Sequence, residues 1–175
     1  MNIYVDAGAY DGDTLNCKEL FDFDADVVYA FEPNPKFKSK LNDWANNQDR
    51  FFFDAAIWTH TGTIEFAVDN TDTPLGSTVM SGKTKIWDGS PHRDVPCIDF
   101  SKWLVQNVDF GDVVIVKMDI EGAEFPVIEK LIKDETDKLI TKLYVETHPN
   151  KVRDYTTTYK NELLSKLSCE VEEWH

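Results

Sequence analysis

The sequence contains few cysteines, and those that it has form no paired motif. Cys17, Cys97 and Cys169 are widely spaced, and no C-x-x-C occurs. An odd number of scattered cysteines argues against both a disulfide framework and a zinc knuckle. The same pattern is typical of a protein in a reducing compartment.

Long hydrophobic runs are absent as well. No window approaches the ~20 apolar residues that a membrane span requires. The opening residues, MNIYVDAG, contain no basic region followed by an apolar one, so we expect no secretory signal. These two absences lead us to expect a cytoplasmic protein without a membrane partner.

Positive charge is scarce. The chain has 32 Asp and Glu residues against 18 Lys and Arg residues, and its formal net charge at pH 7 is -14. A surface of this sign repels a phosphate backbone, so we expect no nucleic acid partner. The chain length of 175 residues and the hydrophobic content of 42% predict a globular protein with a single domain over residues 1–175.

Short apolar segments alternate with helical patterns along the chain. We predict strands at 3–5, 27–31, 51–57, 113–118, 142–146 and 169–174. Several of these segments are apolar on both faces, as in parallel strands that are covered by helices. Helices are predicted to begin after Asn34 and Asp99, which are typical N-cap residues, and at the apolar stripe that includes Phe125. The alternation predicts an α/β fold with a mostly parallel, doubly wound sheet.

One stretch departs from this alternation. Residues 59–94 are rich in Thr, Gly, Asp and Pro and contain one clear strand pattern, at 63–68. We predict a short β insertion with a mobile loop here. Loops of this kind commonly cover a substrate site.

The first predicted strand runs into the segment YVDAGAYDGDTL. Ligands of open α/β sheets bind at such places, beyond the carboxyl end of a strand. The glycines follow the spacing D-x-G-x-x-x-G-D, and Asp6, Asp11 and Asp13 surround the loop with negative charge. This charge disfavours the pyrophosphate that a dinucleotide-binding loop cradles, and it favours a nucleoside with a cationic amine and sulfonium. The alternative is an ordinary glycine-rich turn between a strand and a helix.

The next two strand ends contain further candidate binding residues. Glu32, in YAFEPNP, lies 20 residues beyond Gly12, a distance that places a carboxylate on ribose hydroxyls in nucleotide-binding folds. The alternative for Glu32 is a solvated carboxylate before a turn. In FFFDAAIW, Asp54 and Ala55 come near the expected adenine position, and the alternative there is close packing of small residues.

The strand predicted at 113–118 ends in a cluster of ionisable residues. The segment VVIVKMDIEGAEF contains Lys117, Asp119, Glu121 and Glu124. Because buried charges are costly unless they are paired or used, we predict a functional cluster. The alternative is that Lys117 pairs with one acid and that the other acids are solvated.

Together, YVDAGAYDGDTL, YAFEPNP and VVIVKMDIEGAEF resemble the FkbM-type methyltransferases, which are class I enzymes with a Rossmann-like fold that use S-adenosylmethionine. The resemblance extends from residue 3 to about residue 148, and KMDIEGAE is its most specific part. It implies that Asp119 faces the reactive methyl group. The residues that it implies for the cofactor site are Asp6, Gly8, Ala9, Tyr10, Asp13 and Thr14 for the methionine half, Glu32, Pro33 and Asn34 for the ribose, and Asp54 and Ala55 for the adenine.

The resemblance predicts an S-adenosylmethionine-dependent O-methyltransferase whose acceptor is a hydroxyl of a small polar molecule, a sugar or a glycan. We predict that Asp119 and Glu121 orient the donor and the acceptor. His148, in YVETH, is predicted to face the same sheet edge and to assist deprotonation, because histidine accepts protons near neutral pH. The alternative is that His148 holds the turn before Pro149.

Two other functions remain open at this point, and no metal is expected. The first is a nicotinamide-dependent oxidoreductase, which shares the sheet and the acid at the second strand. The second is a non-catalytic module that binds S-adenosylmethionine without consuming it. His60, His92 and His175 show no spacing that is typical of metal ligands, so we predict no metal site.

Overall fold

The computed structural model describes residues 1–69, 76–81, 83, 87–149, 152 and 155–174. Its strands are β1 (Asn2–Ala7), β2 (Val27–Phe31), β3 (Arg50–Phe53), β4 (Ala56–Trp58), β5 (Gly62–Ala67), β6 (His92–Asp99), β7 (Val113–Met118), β8 (Lys142–Val145) and β9 (Glu170–Glu173). Its helices are α1 (Cys17–Phe21), α2 (Lys38–Trp44), α3 (Phe100–Asn107), α4 (Glu124–Lys133) and α5 (Thr157–Leu164). In these ranges no helix combines the length and the apolar character that crossing a membrane requires.

The main sheet contains six parallel strands in the order β3-β2-β1-β7-β8-β9. Its central strands are apolar on both faces because helices cover both sides. On β1, Ile3 belongs to a core cluster with Leu131 of α4, whereas Tyr4 packs on the opposite face with Cys17 of α1. This arrangement is the predicted doubly wound α/β sheet.

The strand order reverses between β1 and β7. From β1 the chain continues outward to β2 and β3, and it later returns to β7 on the other side of β1. The connections that leave the carboxyl ends of β1 and β7 therefore run in opposite directions and open a crevice between them. The crevice is where a ligand site is expected in such a sheet.

The prediction of a single strand at 51–57 is wrong, because this segment forms two strands that belong to different sheets. Residues 50–53 form β3 in the main sheet, and Ala56–Trp58 form β4 in a second sheet with the order β4-β6-β5. An apolar run alone does not indicate where a chain leaves one sheet for another. The predicted insertion contains β5 and the first residues of β6, while residues 70–75, 82 and 84–86 lie outside the described part.

Two helix starts test the predicted capping residues. The side chain of Asp99 accepts a hydrogen bond from the Lys102 amide at 3.2 Å, which confirms Asp99 as the N-cap of α3. The helix predicted to begin after Asn34 instead begins at Lys38. The Asn34 side chain accepts a hydrogen bond from the Lys36 amide at 3.0 Å and so caps a turn that precedes α2.

Candidate active site

A cleft of about 250 Å³ opens at the carboxyl ends of β1, β2 and β7. Nine of the predicted site residues line it: Gly8, Tyr10, Asp13, Thr14, Glu32, Pro33, Asn34, Asp119 and Glu121. Five others do not: Asp6, Ala9, Asp54, Ala55 and His148. The cleft therefore brings together residues that follow three different strands. The two that lie farthest apart in the sequence, Gly8 and Glu121, are separated by 113 positions.

The glycine loop after β1 lies directly against the end of β7. Gly8 has φ +88°, and a Cβ atom on it would stand 1.9 Å from the carbonyl oxygen of Asp119. The Gly8 and Ala9 amides both donate hydrogen bonds to the Phe31 carbonyl at 3.0 Å. Only a residue without a side chain fits this close approach of two backbones.

A buried ion pair supports the loop from below. Lys117 lies 3.3 Å from Asp6 and donates a hydrogen bond to the Gly8 carbonyl at 2.8 Å. Burial lowers the pKa of Lys117, but Asp6 and Asp119 together raise it above its ordinary value. Asp6 also accepts a hydrogen bond from the Thr14 hydroxyl at 2.5 Å. Asp6 thus holds the loop and the Thr14 side chain, and Thr14 itself lines the cleft.

Glu32 lies at the tip of β2 with its carboxylate held on both sides. One oxygen accepts a hydrogen bond from the Tyr10 amide at 2.9 Å, and the other accepts one from the Asn34 amide at 2.7 Å. Burial raises the pKa of Glu32 to about 7, although the two amides and Lys117 oppose the shift. The arrangement orients a carboxylate toward the cleft while each oxygen keeps a lone pair for a ligand hydroxyl.

The residues predicted to flank adenine lie beside the cleft instead of in it. Asp54 forms an ion pair with Lys38 at 2.7 Å, and Ala55 is buried. The chain leaves the main sheet between β3 and β4. As a result, the residues that follow, Ala56 and Ile57, line the cleft. Ala9 is also fully buried, in a core cluster with Leu41 of α2 and others.

The second sheet and the insertion supply an apolar wall that the sequence analysis missed. Phe66 of β5 and Val79 line the cleft together with Ile57. Ser77 lines it as well, and the Asn34 side-chain amide donates a hydrogen bond to its hydroxyl at 3.3 Å. The sequence signal for these residues was limited to the expectation that the insertion covers a site.

The turn after β7 is held by the carboxylate of Glu124. Glu124 is fully buried and accepts hydrogen bonds from the Ile120 and Gly122 amides, both at 2.8 Å. Glu121 between them adopts φ 57° and forms an ion pair with Lys83 of the insertion. This turn fixes the direction in which Asp119 and Glu121 face the cleft.

His148 lies behind the turn, inside a shell of carboxylates. Its side chain is only 2% exposed. Its Nδ1 atom lies 3.3 Å from Glu124, and its Nε2 atom lies 3.5 Å from Glu121, 3.7 Å from Glu146 and 3.9 Å from Asp119. Burial lowers the pKa of His148, but the carboxylates raise it overall. The structure thus brings His148 next to Asp119, as predicted, although the imidazole does not line the cleft.

Asp119 links this shell to the cleft. Its side chain is 27% exposed and lines the cleft. Burial raises the pKa of Asp119 to about 6, with Lys117 opposing the shift and Glu121, Glu146 and Glu124 adding to it. A carboxylate with this pKa, at the wall of a cleft, is suited to accept a proton near neutral pH.

The comparisons with known proteins concern the family and the fold. The sequence model of one protein family, described as the methyltransferase FkbM domain, matches residues 6–169. No curated protein matches the chain. A crystal structure of methyltransferase FkbM from Methylobacillus flagellatus KT is similar with a TM-score of 0.57 at 14% identity, and the similarity covers 94% of this chain and 37% of that one.

This chain therefore spans well under half the length of that solved protein, and the likeness between the two concerns the fold. The fold confirms the predicted Rossmann-like α/β class. The family match extends over nearly the whole sequence and includes the motifs on which the predicted resemblance was based, except for Tyr4 and Val5 at the start of the first one. The chain belongs to the FkbM methyltransferase family.

Proposed function

We propose that this chain binds S-adenosylmethionine in the cleft and transfers its methyl group to a hydroxyl oxygen of a small polar acceptor. The observation on which the proposal depends is the Glu32 carboxylate, which is buried at the tip of β2 beside the glycine loop of β1. A carboxylate at this position suits a nucleoside that presents two ribose hydroxyls. Membership of the FkbM methyltransferase family supports this assignment.

The charge of the cleft favours a cofactor with a cationic centre over a dinucleotide. Asp13, Asp119 and Glu121 line the end of the cleft near the glycine loop. Carboxylates attract the sulfonium and the amine of S-adenosylmethionine, whereas they repel a pyrophosphate. The apolar wall of Ile57 and Phe66 suits the adenine ring in place of the predicted Asp54 and Ala55.

Methyl transfer from a sulfonium to an oxygen requires alignment and the removal of one proton. The Asp119 carboxylate lines the cleft and is the group that we propose to receive the proton from the acceptor hydroxyl. Glu121 is proposed to orient the acceptor, because its carboxylate is fixed by Lys83. His148, behind both acids, is proposed to assist by stabilising their charge.

A sugar or a glycan is the acceptor class that we propose. Its hydroxyls would donate hydrogen bonds to the carboxylates at this end of the cleft. No phosphate is required in the acceptor, since the same carboxylates would repel one.

Isothermal titration calorimetry with S-adenosylhomocysteine tests the cofactor assignment directly. We expect one binding site per chain for S-adenosylhomocysteine and no measurable binding of NAD. Binding of NAD alone would overturn the proposal. Methyl transfer is then tested with labelled S-adenosylmethionine against glycans and small alcohols, and against nucleotide sugars, whose diphosphate the carboxylates should disfavour. Cofactor binding without transfer to any of them would favour the non-catalytic module.

A further inference from the structure

The residues behind the β7 turn have the composition of a metal site. Asp119, Glu124 and His148 each offer one ligand atom, and these atoms lie within 4.8 Å of one another. A divalent ion with bonds of about 2.1 Å holds its ligand atoms roughly 3–4.2 Å apart. Small side-chain adjustments would bring the three atoms into that range.

Two atoms of this group lack the partners that buried polar atoms ordinarily have. The Nδ1 atom of His148 lies 3.3 Å from the Glu124 carboxylate without forming a hydrogen bond, and the Oδ1 atom of Asp119 is likewise buried without one. The His148 side chain is 2% exposed, and its ring is directed into the carboxylate shell. More than nine in ten buried polar groups are satisfied in native proteins. Two such atoms in one cluster therefore indicate that the cluster accepts a further partner.

The charge balance points to a cation. Four carboxylates surround His148, namely those of Asp119, Glu121, Glu124 and Glu146. Lys83 pairs with Glu121, and Lys117 is directed at Asp6 and the Gly8 carbonyl. Carboxylates that are packed together in a partly buried site repel one another. A proton on His148 offsets part of this repulsion, and a divalent cation bound in place of that proton would offset more of it.

We propose that Asp119, Glu124 and His148 bind one divalent first-row transition metal ion, of the Mn²⁺ or Zn²⁺ class. One imidazole with two carboxylates suits these ions better than Mg²⁺ or Ca²⁺, which prefer sites made of oxygen alone. Because Asp119 also lines the cleft, the ion would lie next to the acceptor. There it would act as a Lewis acid that makes the acceptor hydroxyl more acidic, while the Asp119 oxygen that does not bind the ion receives the proton. This role rests on the proposed function, whereas binding of the ion does not.

Titration of the chelator-treated full chain with MnCl₂, followed by electron paramagnetic resonance of free Mn²⁺, tests the site without cofactor or acceptor. We expect one Mn²⁺ per chain, displaced by Zn²⁺. We also expect affinity to fall at least about tenfold in Asp119→Asn and in His148→Phe. The matched control is His92→Phe, because His92 also contacts a carboxylate, Glu65 at 3.1 Å, but on β6 away from the cluster. The control should bind Mn²⁺ like the parent.

The absence of stoichiometric Mn²⁺ or Zn²⁺ binding would overturn the proposal, as would equal affinity in Asp119→Asn and the parent. Should His148→Phe fail to fold, Asp119→Asn decides, because it keeps the shape of a partly exposed side chain. Titration of the same preparations with S-adenosylhomocysteine separates the two proposals. Cofactor binding without Mn²⁺ binding would overturn the metal-site proposal alone. Mn²⁺ binding without cofactor binding would overturn the proposed function alone.

Discussion

Gly8 and Asp119 meet backbone to backbone in the wall of the cleft. A Cβ atom on Gly8 would stand 1.9 Å from the Asp119 carbonyl oxygen, and the Asp119 amide donates a hydrogen bond to the Ala7 carbonyl at 3.0 Å. The loop that follows β1 and the turn that follows β7 are therefore one unit. A change in either of them is transmitted to the other.

Gly8→Ala should lower the free energy of unfolding far more than Gly111→Ala. Both glycines have positive φ, +88° and +105°, so both substitutions cost about 1–3 kcal/mol of backbone strain. A Cβ on Gly111 would meet nothing within 4 Å, whereas one on Gly8 would overlap the Asp119 backbone. We expect an additional loss of about 2 kcal/mol or more in Gly8→Ala. Urea denaturation measures both variants, and equal losses would contradict this close approach.

Glu32→Ala should weaken the binding of S-adenosylhomocysteine by about 1.5–3 kcal/mol, the range for hydrogen bonds to a charged group. The matched control is Asp54→Ala, because Asp54 also follows a strand of the main sheet but pairs with Lys38 outside the cleft. Calorimetric titration compares the two variants. If Asp54→Ala weakens binding and Glu32→Ala does not, the nucleoside binds near Asp54 and not in the proposed cleft.

The free energy of unfolding should depend on pH through the titration of Glu32. Burial raises the pKa of Glu32 from 4.5 to about 7, so between these values the folded chain retains a proton that the unfolded chain has lost. The contribution of Glu32 to the free energy of unfolding therefore falls as pH rises through this window. Glu32→Gln removes the titration, and we expect its stability relative to the parent to increase across the window by up to about 3 kcal/mol. Urea denaturation between about pH 4.5 and pH 7.5 would show a constant difference if Glu32 had an ordinary pKa.

Lys117→Met should lower the free energy of unfolding by about 3–5 kcal/mol, because it leaves the Asp6 carboxylate buried without its partner. Adding Asp6→Asn should restore part of the loss, since no uncompensated charge then remains. A double-mutant cycle from urea denaturation measures the coupling. Additive losses would show that Lys117 acts on the Gly8 carbonyl alone.

Asp119→Asn should keep the fold and lower the rate of methyl transfer by about two powers of ten or more. The substitution preserves shape, and the ion pair of Lys117 with Asp6 does not involve it. Melting temperature and single-turnover rate are measured on the same preparation. A destabilised variant with the parent's rate would mean that Asp119 serves the fold and not the reaction.

Local residue patterns are sufficient to predict the parallel sheet and the ends of its central strands. The segments around Val5 and Val116 are apolar on both faces, and a glycine or an acid follows each of them closely. These are local signals, because buried parallel strands and the turns that end them require particular residues at particular positions. Gly8, Glu32 and Asp119 could therefore be expected at one sheet edge before their contacts were known.

Long-range packing determines which side chains meet behind that edge. Glu124 and His148 are 24 positions apart, yet the pairing of β7 with β8 brings their side chains to 3.3 Å. The change of sheet after β3 likewise leaves Asp54 outside the cleft and brings Ile57 into its wall. Strand register and the packing of the second sheet decide these contacts. Both are long-range relationships that local residue patterns do not specify.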